Sequence, residues 1–150
     1  QQRALLSKVF HTMALGQQAI YTTHLIKCAF NKEPIAERTV RQTIVPNEHR
    51  PYLMAQIECI QPKILLVLGK ATHDVLLGYD PENTFATSRG QWRDLNQIPV
   101  MTSYDPNYLL QNDTLETKRQ FWEDMLKILV KLNNPISSKQ SNYFLPRTKG

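Results

Sequence analysis

The stretch "KILLVLGKATHDVLLG", residues 63 to 78, limits what this chain can fold into more than any other part of it. Every position from Ile64 to Leu68 is apolar, so no alternation provides a wet face. A short run of that kind, followed at once by a glycine and a helix-like pattern, fits a strand covered on both faces within a parallel sheet. "IPVMTSY", residues 98 to 104, is a second run of strand formers, and it leads through Asp105 and Pro106 into another helix-like segment. Strand exits of this type are where open α/β sheets place their sites.

The rest of the chain alternates around these two strands. "RALLSKVFHTMAL" puts Leu5, Leu6, Val9, Phe10 and Met13 at helical spacing, with Gly16 as the stop. "AIYTTHLIKCAF", within residues 19 to 30, is rich in β-branched and aromatic residues and reads as a strand. Residues 31 to 46 are polar, hold Pro34 and Pro46, and read as a long loop. Asn47 is placed to cap a helix running to residue 60, with Leu53, Ile57 and Ile60 on one face. Residues 70 to 78 read as a short helix, and 79 to 97 as a second loop containing "TSRGQW". Thr114 caps the strongest helix, whose apolar face takes Leu115, Trp122, Met125, Leu126, Leu129 and Leu132. The alternation of helices and strands predicts one three-layer α/β/α domain with a short parallel sheet over residues 1 to 132. The tail from 133 to 150 is polar, carries Pro135 and Pro146, and reads as frayed or reaching for a partner.

Charge and cysteine content narrow the function classes. Lys and Arg number 18 against 13 Asp and Glu, a net charge of +5, which favours an anionic partner such as nucleic acid. Cys28 and Cys59 are the two cysteines, too few for a disulfide scaffold. No apolar stretch approaches the roughly 20 residues of a membrane span and no secretory leader is visible, so a reduced, cytoplasmic protein with no membrane contact is expected. The chain opens on Gln1 without a methionine, and its first segment is expected to be internal to a longer natural protein.

The order of short motifs then becomes specific. "YTTHLIKC", "HRPYLMAQIECIQPKILLVLG", "RGQW", "IPVMTSYDPNYLL" and "KRQFWEDM" together resemble the uracil-DNA glycosylase superfamily, most closely the family-4 type that carries an iron–sulfur cluster. The resemblance spans about residues 5 to 132. It implies a fold in which active members flip a uridine out of the duplex and hydrolyse its glycosidic bond. It also implies three functional places: a Gly-Glu-Ala-Pro-Gly-like loop after the first strand, an Asn that reads the uracil edge, and a His-Pro-Ser/Ala loop after the last strand. This chain departs from all three. The first loop has no counterpart, His24 stands where the Asn is expected, and Asp105 stands where the His is expected, with Pro106 kept and Asn107 in the small-residue slot.

These departures oppose the usual chemistry. Departing uracil carries negative charge, and an ionised Asp105 only accepts hydrogen bonds and repels it. His24 offers one donor and one acceptor when neutral, in a geometry unlike that of an amide. The resemblance further implies four cysteine ligands for the cluster. Cys28 fits the third, His49 occupies the fourth, and the first two have no counterpart. No cofactor is therefore expected from these residues, and a 4Fe–4S cluster would need cysteines upstream of Gln1. Cys28 as a strand-end thiol and His49 as a helix-start residue are the plainer assignments.

Nucleic-acid contacts are expected at Lys70, Arg89, Asn107 and Tyr108. Lys70 follows Gly69 at a strand-to-helix junction, where phosphate is favoured. The competing assignment is a solvated lysine. Trp92 reads as packing beneath its loop, and His11 and His73 as residues beside the core with no function required. Asp74 and Asp94 have no partner identifiable from sequence.

The expected function is a degenerate glycosylase-fold protein that serves as a nucleic-acid-associated binding or assembly module in DNA repair or replication, its partner DNA or a replication or repair protein. The psi subunit of the bacterial clamp-loader assembly, with a reduced version of this fold, is the precedent. The alternative is a divergent glycosylase acting on a flipped damaged base through Asp105 or His24. Because the family's interior first strand is missing, either residues upstream of Gln1 supply it, or the strands at 19–30 and 63–68 pair directly. An antiparallel pairing among the strands at 19–30, 63–68 and 98–104 would contradict the resemblance.

Overall fold

The computed structural model describes residues 1–16, 19–25, 35–78 and 80–144, with the backbone alone over 35–47. Helix α1 (Gln2–Thr12) is followed by α2 (Ile35–Ile60), strand β1 (Leu65–Leu68), α3 (Lys70–Leu77), α4 (Phe85–Ser88), β2 (Trp92–Leu95), β3 (Ile98–Ser103), α5 (Pro106–Gln111), α6 (Leu115–Lys131) and α7 (Ser138–Ser141). The sheet order is β1-β3-β2. β1 and β3 are parallel, with Leu65 opposite Val100 and Leu68 opposite Ser103.

Two apolar clusters, one on each face of the sheet, make the three layers. Met101 of β3 joins Phe121, Trp122, Met125, Ile128 and Leu129 of α6, with Leu66 and Leu68 of β1 and Leu5, Val9 and Phe10 of α1 against them. Val67, Ile98 and Val100 point the other way and meet Leu53 and Ile57 of α2 and Leu76 of α3. Both strands thus feed side chains alternately into two dry layers, which is why "KILLVLG" carries no polar position.

Several expectations are corrected. β2 lies in the segment read as a loop and pairs antiparallel with β3, so the sheet is mixed rather than parallel throughout. Asn96 and Gln97, at φ 52° and 68°, form the two-residue turn that returns the chain, and positive φ at both central positions is what such a hairpin requires. This antiparallel pair does not involve two of the three strands expected from sequence, and 65–68 and 98–103 pair parallel as expected. Residues 19–25 form no strand: β-branched content needs a ladder partner to become one, and no strand flanks them among the described residues. The outer edge of β1 likewise has no partner strand among the described residues.

Helix α2 starts at Ile35, inside the expected loop, where Ala36, Glu37, Arg38 and Gln42 are favourable helix residues despite Pro46. Helix α1 ends at Thr12, ahead of Gly16, with Ala14 taking the left-handed conformation at φ 56°. Leu115 is 58% exposed, because the first turn of α6 projects beyond the core. The described part of the tail reaches Phe144. Ser137 and Gln140 form a reciprocal capping box for α7, and Gln140 links the indole N–H of Trp122, which its carbonyl accepts at 2.7 Å, to the carbonyl of Thr12, to which its amide donates at 2.8 Å. Among the described residues no helix is long and apolar enough to cross a membrane.

Candidate functional site

The carboxyl ends of β1 and β3 meet at one point. The backbone N–H of Gly69 donates to the carbonyl of Ser103 at 2.9 Å, continuing the parallel ladder past both strands. Gly69 has φ +91°, and a Cβ there would come within 3.0 Å of the Asp105 Cβ and 3.1 Å of its Oδ2. The glycine therefore lets two strand exits touch, as well as starting α3. Asp105 is half-buried and caps α5: its Oδ1 accepts from the backbone N–H of Tyr108 at 3.0 Å, with Pro106 at the first helical position.

Around this junction the expected residues partly assemble. Lys70 follows Gly69 and its ammonium pairs with Asp74, one turn along α3. Asp74 also contacts Nδ1 of buried His73 at 2.9 Å. Partial burial tends to raise the Asp74 carboxyl, but hydrogen bonds from Lys70 and His73 outweigh it and hold the group below its ordinary value. Asn107 contacts the Gln2 side chain, tying α5 to α1. Tyr108 is 41% exposed and stacks on Tyr104, ring centroids 4.8 Å apart and 16° from parallel. Tyr104 is held in turn by its hydroxyl, which donates to Gln120 at 2.7 Å.

Arg89 is drawn inward. Its guanidinium donates to both carboxylate oxygens of Asp124, at 3.0 and 3.2 Å, and lies 5.1 Å from the centre of the Tyr104 ring. Asp124 is 1% exposed and also accepts from the Ser103 hydroxyl at 2.6 Å. Lys127 closes the arrangement by donating to the carbonyl of Gly90 at 2.7 Å. Burial raises the Asp124 carboxyl above its ordinary range, against the lowering pull of Ser103 and Arg89. Asp124, Ser103 and Tyr104 were not singled out from sequence. Asp124 alone carried a signal, as an acidic residue inside the buried arc of α6 between Phe121 and Ile128.

His24 is exposed on the segment 19–25 and is not brought to the Gly69–Asp105 junction by any contact described above. Cys28 lies outside the described residues. His49 is half-buried on α2, its ring 6.1 Å from that of Tyr52. A four-thiolate cluster does not fit this residue set. The chain has two cysteines, and Cys59 stands ten residues beyond His49 on α2. That is about 15 Å of helix axis, whereas metal–sulfur bonds are about 2.3 Å long. Among the described residues no group of three or more His, Cys, Asp or Glu could hold a metal ion.

The model of the uracil DNA glycosylase superfamily matches residues 1–126. The chain belongs to that superfamily. It is also 28% identical over 128 residues to the Type-4 uracil-DNA glycosylase of Thermotoga maritima, covering 82% of this chain and 62% of that protein. The chain therefore spans less than two thirds of the length of this glycosylase relative. The superfamily match takes in α1 through most of α6, and the α7 segment lies beyond it.

Proposed function

We propose that this chain uses the glycosylase fold as a cytoplasmic nucleic-acid-binding or assembly module in DNA repair or replication, without uracil excision and without a small-molecule cofactor. One observation carries the reading. At the place where the resemblance expects a histidine, Asp105 presents a carboxylate whose Oδ1 is engaged by the first turn of α5. A departing base needs a donor, and a carboxylate supplies only acceptors. The superfamily match and the Type-4 relative support DNA as the partner class.

The edge that holds Asp105 is suited to binding. Lys70, Asn107 and Tyr108 share it, and the exposed Tyr108 ring has Tyr104 behind it as a rigid backing. Arg89 is committed to Asp124, so Lys70 and Tyr108 come first as contact residues. The test pairs two measurements. Single-turnover incubation with a uracil-containing oligonucleotide is expected to release no base. Anisotropy with the same oligonucleotide is expected to show weak binding that falls steeply with salt and is reduced in Lys70→Ala and Tyr108→Ala. Enzyme-dependent base release would establish the divergent glycosylase instead. Salt-independent binding, or binding untouched by both substitutions, would remove this edge from consideration.

A further inference from the structure

A second face of the molecule, the outer stripe of α2, has a construction of its own. Tyr52 and Cys59 are exposed and Gln56 is half-buried between them; spaced four and three residues apart, the three share one side of the helix, while Leu53 and Ile57 point into the core. In the middle of the stripe the Gln56 carboxamide uses both its ends. Its Nε2 donates to the Tyr21 hydroxyl at 3.1 Å, and its Oε1 accepts from the Thr23 hydroxyl at 3.3 Å. Tyr21 and Thr23 are two residues apart and both reach the same amide. Leu25, two residues further on, packs against the cluster formed by Leu53, Ile57 and Val67. One turn before Gln56, the Tyr52 ring meets His49.

We infer that this hydrogen-bonded clasp, Gln56 with Tyr21 and Thr23, fastens the segment leading toward Cys28 onto α2, and that Cys28, His49 and Cys59 of this chain do not by themselves hold an iron–sulfur cluster. A bound metal centre cross-links chain segments and contributes to folding through its ligands. Here that link is made by neutral side chains needing no thiolate, on the same helix as His49. Of the two cysteines, Cys59 lies on the far side of the clasp from His49, where it cannot join His49 at one centre. The clasp is independent of the binding-module reading, since neither base release nor DNA affinity enters it.

The test uses the 150-residue chain. After anaerobic incubation with ferrous iron and sulfide, then desalting, bound iron and visible absorbance are expected to match those of Cys28→Ser. In parallel, amide hydrogen exchange over residues 19–25 is expected to quicken about tenfold in Gln56→Leu. A smaller acceleration is expected in Tyr21→Phe, which removes one hydroxyl at an exposed position and leaves the fold intact. Cys28→Ser is expected to leave exchange unchanged. Stoichiometric iron that disappears in Cys28→Ser overturns the absence of a cluster. Exchange that is indifferent to both Gln56→Leu and Tyr21→Phe overturns the clasp.

Discussion

Two aspartates stand near the end of the same strand and are built in opposite ways. Asp124 reaches β3 from α6 and is surrounded: Ser103 from the strand and Arg89 from the loop before β2 both donate to it. Asp105 leaves β3 two residues after Ser103, is half-buried, and is fixed by the turn it caps. The buried carboxylate joins a helix, a strand and a loop into one unit. The other packs against Gly69 at the meeting of two strand exits and is held by its own turn. An acidic residue near a strand end is therefore informative about function only once its partners are counted, and by that measure Asp124 is architecture and Asp105 is the member we propose for the site.

The largest expected effect follows from removing the buried member. Asp124→Ala leaves Arg89 and Ser103 facing an uncompensated space, and breaking a buried pair from one side costs about 3–5 kcal/mol. Urea unfolding is expected to show a loss of that size, and a loss below about 1 kcal/mol would mean the network is slack. A pH series sharpens the point. Burial raises the Asp124 carboxyl above its ordinary 3.8, so the folded chain holds this proton more tightly than the unfolded chain. The contribution of that group is complete below the unfolded value and declines as pH rises through the higher folded value. Relative to Asp124→Asn, the unmodified protein is expected to lose stability as pH rises above the ordinary carboxyl value of 3.8. An opposite slope would show that Arg89 and Ser103 outweigh burial.

How much of this was legible depended on which interaction decided each element. The two buried strands, α3, α6 and the layer order follow from periodicity, which core burial enforces. The β2 hairpin did not, because its turn is Asn96-Gln97: asparagine tolerates positive φ, whereas glutamine gives no sign of it. The segment 19–25 has strand composition, but side-chain bonds to α2 decide its course. Ser137 and Gln140 do carry the spacing of a capping box, a readable signal for α7 that the polar composition of the tail masked. Asp105 and Lys70 could be placed at strand exits by pattern alone, whereas the inward turn of Arg89 required knowing that α6 carries an acid at the facing position.

A smaller effect is expected where the network meets the backbone. Gly90 has φ +69°, and a Cβ there would come within 2.5 Å of the Asp124 Oδ1. Gly90→Ala forces the carboxylate or the loop to shift, with an expected cost of about 1–3 kcal/mol. Gly16 supplies the control, since a Cβ there meets nothing within 4 Å. Gly16→Ala is expected to be near neutral in the same urea series. Equal losses at both glycines would show that backbone entropy rather than the approach to Asp124 is being measured.

The smallest effect belongs to the other member of the pair. Asp105→Ala removes the acceptor for the Tyr108 N–H, and loss of an N-cap costs about 1 kcal/mol. Asp105→Asn keeps a capping oxygen, so thermal unfolding should place it within a few tenths of a kcal/mol of the unmodified protein. That near-neutral variant also separates capping from charge. If the carboxylate repels nucleic acid at this edge, Asp105→Asn binds a uracil-containing oligonucleotide more tightly at low salt, and the gain fades as salt screens it. Asp105→His goes further by supplying a donor, yet it is expected to release no uracil, since His24 still departs from the resemblance. Measurable release from that single variant would show that one side chain separates this chain from an excising enzyme.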